Sequence, residues 1–232
     1  MTFIFDGTFE GLLTVVFNCY DLKLYPDKIE RTQTYHQEIF DEPATITTER
    51  AKAERVHKGL RKKLSSSAIH DLVKAFHSGL PEIDMAIYDY IRLALHSKMS
   101  IEKDYRKDAV LIIRKAVQMM NREIHRMHAF VRFQKTADNI YAATIKPDFD
   151  VIPFIGSHFA KRYADQQWLI YDTQRNYGLF YDLQKVEIVR LRSPRWYGRN
   201  KINPSVLHEE EGEYQTLWKQ YLKPPLSESV KI

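Results

Sequence analysis

At 232 residues, with 44% hydrophobic and 28% charged side chains and only 8 Gly and 9 Pro, the chain has the balance of a folded protein and excludes disordered, collagen-like and low-complexity classes. Its single cysteine, Cys19, excludes an intrachain disulfide and a self-contained iron–sulfur cluster, and fits a reducing compartment. The net charge of +5 is unevenly spread: residues 50–64 carry seven Lys/Arg and one acid, residues 190–201 carry five and none, and compensating acids gather in "HEEEGE" at 208–213. Such asymmetry permits an anionic partner, although basic solvated faces are common in proteins that have none.

In chain order, "FIFDG" reads as a short strand, and "TFEGLLTVVFNCYDLK" as an amphipathic helix with Phe9, Leu12, Leu13, Val16, Phe17 and Tyr20 on one face and Cys19 a buried, inert thiol. Acidic Asp6 and Glu10 at the start do not suit a signal peptide, and no stretch approaches the length of a membrane span, so a cytoplasmic protein without membrane contact is expected. Residues 23–46 read as irregular, with a short strand near "YHQEIF". In "TTERAKAERVHKGLRKKL" the stripe Ala53, Val56, Leu60 and Leu64 faces inward, with Arg55, Lys58 and Lys62 opposite. Ser65–Ser67 cap the next helix, which Gly79 and Pro81 end. Pro81, Glu82 and Asp84 suit the first turn of "PEIDMAIYDYIRLALHSK". The longest helical pattern runs from Tyr105 to about Met127, burying Ala109, Ile112, Ile113, Ala116, Met120 and Met127.

The period then changes. "AFVRFQ" and "IYAATI" flank the turn "TADN", a helix begins near Pro153, and "WLIYD", "YGLFYD" and "KVEIVRL" are strand-like. "GEYQTLWKQYLK" reads as a final helix. The expected class is α+β: one domain over 1–232, its helical first half (48–128) packed on a mainly antiparallel sheet from 129–192, plus the C-terminal helix.

No strong catalytic signature is present: no Gly-rich phosphate loop, His-Glu-x-x-His helix, nucleophile elbow or zinc cysteine pair. In "HRMHAFVRFQ" (125–134), His125 and His128 sit first at a helix C-terminus; Arg126 and Arg132 are phosphate candidates, and a metal site ranks third. In "SHFAKRYADQQW", helical spacing puts His158, Lys161, Arg162 and Asp165 on one face, where ion pairing is the plain reading and phosphate binding the functional one. Trp168, Tyr171, Tyr177, Phe180 and Tyr181 beside Arg175 suit either a core or a stacking platform for unpaired bases. The alternation in "WLIYD" sets Trp168 and Ile170 against Leu169 and Tyr171, with both faces covered. "RLRSPRWYGRNK", with Arg195 and Trp196, is the best local nucleic-acid candidate by composition. Asp6 and Glu10 read as capping carboxylates, with Mg²⁺ binding the alternative.

Five segments, "FIFDGTFEGLLTVVF", "RVHKGLRKKLS", "FVRFQ", "PFIGSHFAKRYADQQWLIYDTQRNYGLFYD" and "EYQTLWKQYLK", together resemble a family of domains of unknown function described as probable DNA metabolism or putative DNA repair proteins. Members of that family are typically encoded beside a radical-SAM protein and in some relatives fused to a uracil-DNA glycosylase-like domain. The resemblance implies DNA, single-stranded or damaged, and the radical-SAM protein as partners, the latter supplying iron–sulfur chemistry that one cysteine cannot support. It carries no established catalytic residue and no cofactor or metal for this chain. Residues matching its pattern are Asp6, Gly7, Glu10, His125, Arg126, Arg132, Gln134, His158, Arg162, Asp165, Gln166, Trp168, Asp172, Arg175 and Tyr177. The family continues past the last helix with a basic, aromatic tail, whereas this sequence ends in "LKPPLSESVKI". Three functions follow as expectations: a nucleic-acid-binding DNA metabolism protein, a stand-alone enzyme acting on damaged DNA through His158, Asp165 and Asp172, and a protein–protein adaptor.

Overall fold

The computed structural model describes residues 1–36, 42–137 and 139–190, with the backbone at 197–198 and 201–202. Much of "YHQEIF", the residues Arg195 and Trp196, and the expected C-terminal helix lie outside the described residues. The class is α+β, with helices mostly in the first half and strands mostly in the second. Two compact units, Met1–Glu123 and Ile124–Ile232, divide inside one long helix.

In the first unit, β1 (Thr2–Phe5) is central in a three-stranded parallel sheet between β2 (Lys28–Arg31) and β3 (Ala44–Thr45). Four helices belong to this unit or begin in it: α1 (Phe9–Asp21), α2 (Arg50–Arg61), α3 (Ser66–Ser78) and α4 (Ile83–His96). A fifth, α5 (Asp108–Phe130), starts here and runs across the division. Thr8 caps α1 by accepting from the Gly11 N–H, and Ser65 caps α3 by accepting from the Ala68 N–H. Gly79 ends α3 in the left-handed region, at φ +58°, a conformation glycine adopts without steric cost. All four apolar residues of the α2 stripe, Ala53, Val56, Leu60 and Leu64, join the core formed by Phe3, Phe5, Leu12, Val16, Leu72, Ile87 and Ile91. Cys19 is buried, and burial pushes its thiol up to about 11 despite a hydrogen bond with Tyr88, so it is not thiolate near neutral pH.

Four expectations are corrected. Residues 28–31 form a parallel strand within the stretch read as irregular. Pro81 precedes α4 rather than entering it, and Glu82 takes the N-cap at φ +60°. Ile112 is 42% exposed and Met127 only half-buried, because Val110 and Val117 join the expected Ala109, Ile113, Ala116 and Met120 on the buried side. The helix continues through Phe130, so "AFVRFQ" is a helix end and a short connection, with strand pairing starting only at Gln134.

The second unit holds a sheet of order β4 (Gln134–Lys135), β5 (Tyr141–Ile145), β6 (Trp168–Asp172), β7 (Tyr177–Tyr181) and β8 (Val186–Val189). Neighbours are antiparallel except β5 and β6, which run parallel because α6 (Ile152–Arg162) crosses between them. Every residue of β6 is buried, as expected of a strand covered on both faces. Gly178 opposite Tyr171 is required by close approach: a Cβ there would stand 2.2 Å from the Ile170 carbonyl oxygen. Short backbone pairing also links β9 (Tyr197–Gly198) to β10 (Lys201–Ile202).

Candidate functional site

The sheet register separates the expected site residues of the second unit into two groups. Trp168 opens β6 opposite Tyr181, and Asp172 closes it opposite Tyr177, about 13 Å further along at the usual rise of a strand.

At the Asp172 end the polar groups are mutually satisfied. The Asp172 carboxylate, 0% exposed, accepts from the Gln174 and Arg175 backbone N–H groups and from Arg175 Nη1 at 2.8 Å. Arg175 also donates through Nη1 to the Pro147 carbonyl and through Nη2 to that of Asp148. The fork therefore ties the β6–β7 turn to the segment before α6. Tyr177 donates to Asp150, and burial together with the Asp150 carboxylate pushes its phenol far above the ordinary range. Left-handed Asn176, at φ +56°, completes the turn.

At the Trp168 end the arrangement is the opposite. The His128 ring, near the end of α5, stacks on His158 of α6 with centroids 3.9 Å apart and planes 12° apart. Phe133, Phe159, Tyr163, Trp168 and Tyr181 extend this into one aromatic cluster, with centroid separations from 5.1 to 6.3 Å among neighbouring rings. Three buried polar atoms, His128 Nε2, His158 Nε2 and Trp168 Nε1, have no hydrogen-bond partner among the described residues. Burial pushes both imidazoles below their ordinary value; for His128 the neighbouring His158 and His125 add to this, and for His158 the Arg162 charge does. Both rings are thus held neutral near pH 7.

Nearly parallel rings cannot share one metal ion, since imidazole lone pairs lie in the ring plane and these planes do not meet between the two rings. Among the described residues no group of three or more His, Cys, Asp or Glu could hold a metal.

The remaining expected residues are placed individually. Helix α6 ends at Arg162, where Tyr163 leaves helical geometry (φ −125°, ψ 54°), so Asp165 does not share a helical face with His158, Lys161 and Arg162. Lys161, Arg162 and Asp165 are exposed. Arg132 Nη1 donates to the carbonyls of Ala129 and Val131 and so closes the end of α5. Exposed His125 and Arg126 lie in the last turns of that helix, and Gln134 pairs with Ala142 in the sheet. Phe130, 68% exposed on the last residue of α5, was missed by sequence reasoning because a strand pattern was assigned to it.

In the first unit Asp6 follows β1, and its carboxylate accepts from the Thr8 N–H, the Thr8 hydroxyl and the Thr48 hydroxyl. Burial raises its pKa, but these hydrogen bonds outweigh that and hold it below the usual carboxylate range. Asp6 thus braces the cap residue Thr8 and ties it to Thr48, while Thr8 itself caps α1. A groove of about 850 Å³ also opens between β2 and α4, lined by six acids (Asp27, Glu30, Glu82, Asp84, Asp89 and Asp108) against Lys28 and Arg31. Arg31 grips Asp84 through Nε and Nη2, both at 2.7 Å, and lies over the Phe76 ring. Its sign is wrong for phosphate. No helix among the described residues is long and apolar enough to cross a membrane.

The family model of a domain of unknown function, DUF4130, matches residues 81–226, more than half of the chain. No curated protein matches the sequence.

Proposed function

Taking as premise that the chain belongs to the DUF4130 family of domains of unknown function, we propose that it is a DNA metabolism or repair protein that binds nucleic acid and acts with a radical-SAM partner. One observation carries the reading. His128 stacked on His158 sets the end of α5 beside α6, and these adjacent elements carry exposed cations, Arg126 on one and Lys161 and Arg162 on the other, together with the exposed Phe130 ring. Cations that contact phosphates beside a ring on which a base can stack suit single-stranded or lesion-opened DNA. Arg175, by contrast, has both terminal nitrogens engaged by Asp172 and two carbonyls, so the phosphate contacts are assigned to α5 and α6.

The partner rests on the resemblance and on chemistry: one buried cysteine supplies no ligand set for an iron–sulfur cluster. Catalysis by His158, Asp165 and Asp172 acting together is not supported by their placement, since Asp172 closes β6 and Asp165 lies beyond α6.

Fluorescence anisotropy with a labelled single-stranded oligonucleotide over a salt series tests the reading. Wild-type binding should weaken linearly in log–log form with salt, and Lys161→Gln with Arg162→Gln should reduce the slope by about 1 to 1.5, at roughly 0.7 per phosphate contact on a single strand. Phe130→Ala should weaken binding by about 1–3 kcal/mol. Absence of wild-type binding, or binding indifferent to salt, defeats it.

A further inference from the structure

Seven Lys/Arg fall in residues 50–64, and none of them belongs to the surface assigned above. We propose that the outward face of α2 is a second nucleic-acid contact, one that grips the phosphate backbone of a DNA duplex without reading its sequence. This rests on the reading that the protein binds DNA, and adds to it a separate surface in the first unit.

Charge segregation on one rigid helix is the first argument. Ala53, Val56, Leu60 and Leu64 are buried, while Arg55, Lys58 and Lys62 are exposed on the opposite side, as the 3.6-residue period dictates, with exposed Arg61 on the flank beside them. The two nearby acids are already matched: Glu54 accepts from Arg50 at 2.9 Å and Glu49 from Lys52 at 2.6 Å. Lys58, Arg61 and Lys62 have no acidic partner among the described residues. Lys58 and Arg61 lie in the last turn of α2, where the helix dipole favours a cation by only about 0.3–1 kcal/mol, and the like charges otherwise repel one another.

Support from beneath is the second. The Phe17 ring of α1 lies under Arg55, with the guanidinium 4.9 Å from the centroid, and under Lys52 at 5.7 Å. Lys63 Nζ donates to the Ser97 carbonyl. Both flanks of the basic face are thereby held, and Arg50 to Lys62 spans about 18 Å of helix, comparable to five base-pair steps of duplex.

The same geometry separates phosphate from other anionic partners. An interfacial membrane helix must bury its apolar face in lipid, and that of α2 is already buried in the core. A protein partner would be anchored by an exposed aromatic or large aliphatic side chain, whereas Ala51 is the one apolar residue of α2 that is fully exposed.

The test is the salt dependence of binding of the full chain to a 20-base-pair duplex, compared with the triple variant Lys58→Gln, Arg61→Gln, Lys62→Gln. Three lost phosphate contacts should lower the log–log slope by about 2 to 3, equally for unrelated sequences, while the unfolding midpoint stays at its wild-type value. The charge-preserving triple Lys58→Arg, Arg61→Lys, Lys62→Arg should keep the wild-type slope. Wild-type binding with an unchanged slope in the Gln triple overturns the α2 contact alone and leaves the α5–α6 reading standing. No wild-type binding to any DNA overturns both. Anionic phosphatidylserine vesicles bound through α2, with duplex binding unaffected by the Gln triple, would reassign the face to lipid and overturn the inference.

Discussion

The two ends of β6 hold polar groups with opposite bookkeeping: carboxylates and a guanidinium at one, imidazoles and an indole at the other. Around Asp172 every carboxylate and guanidinium contact closes on the protein itself, joining one turn to the segment before α6. Around Trp168 three buried nitrogens have no partner among the described residues, two imidazoles are held neutral, and exposed cations stand on the helices alongside. A buried polar group is costly when unpaired, by about 1–3 kcal/mol each, so a fold retains such groups only against that cost. The contrast makes the Asp172 end a closed structural joint, and leaves the end that includes His158 and Arg162 as the place where the proposed DNA binding is tested.

Removing the satisfied end should produce the largest effect. Asp172→Ala strips two backbone N–H groups and a part-buried arginine of their acceptor, and is expected to destabilise the second unit by about 3 kcal/mol in denaturant titration, with DNA affinity of the remaining folded protein unchanged. A loss of affinity at full stability would break the contrast, because it would place binding at the wrong end of β6.

A smaller and pH-dependent effect is expected at the other end. His128 and His158 have folded-state pKa values below the ordinary 6.5, so the unfolded chain takes up protons before the folded one does. The stability tied to their neutrality is therefore fully present above about pH 6.5 and is lost as pH falls through the lowered folded-state values. His158→Phe keeps a stacked ring and removes one titrating group and one orphaned nitrogen. At pH 7 it should change stability by less than about 1 kcal/mol, and below pH 6.5 it should flatten the decline. An acid decline identical to wild type would show that the stacked pair is not its source.

Much of this was legible from residue order, and unevenly. The α2 stripe and its opposed cations follow from a clean helical period, which the buried Ala53, Val56, Leu60 and Leu64 reproduce. The β6–β7 hairpin is visible as two apolar runs around a polar turn, but residue order does not show that Asp172 and Arg175 in "DTQRN" hold that turn together. Strands β2 and β3 were not legible: "KIER" is polar with one buried residue, Ile29, and β3 is two residues long, so pairing with β1 and not local pattern makes them strands. Phe130 misled for a related reason. Helix α5 ends by a tertiary and capping choice, with Arg132 closing its last carbonyls, and the aromatic and β-branched residues of "AFVRF" suggested extended chain. The stacking of His128 on His158 joins residues thirty positions apart, which no local spacing can announce.

The most direct test compares the two ends in one experiment: side-chain and amide NMR spectra of the full chain during titration with a short single-stranded oligonucleotide. The account expects saturable shifts at Phe130, His158 and Arg162, with the Gln174 and Arg175 amides unmoved. Shifts confined to the Gln174–Arg175 turn, or none anywhere at saturating oligonucleotide, would contradict it.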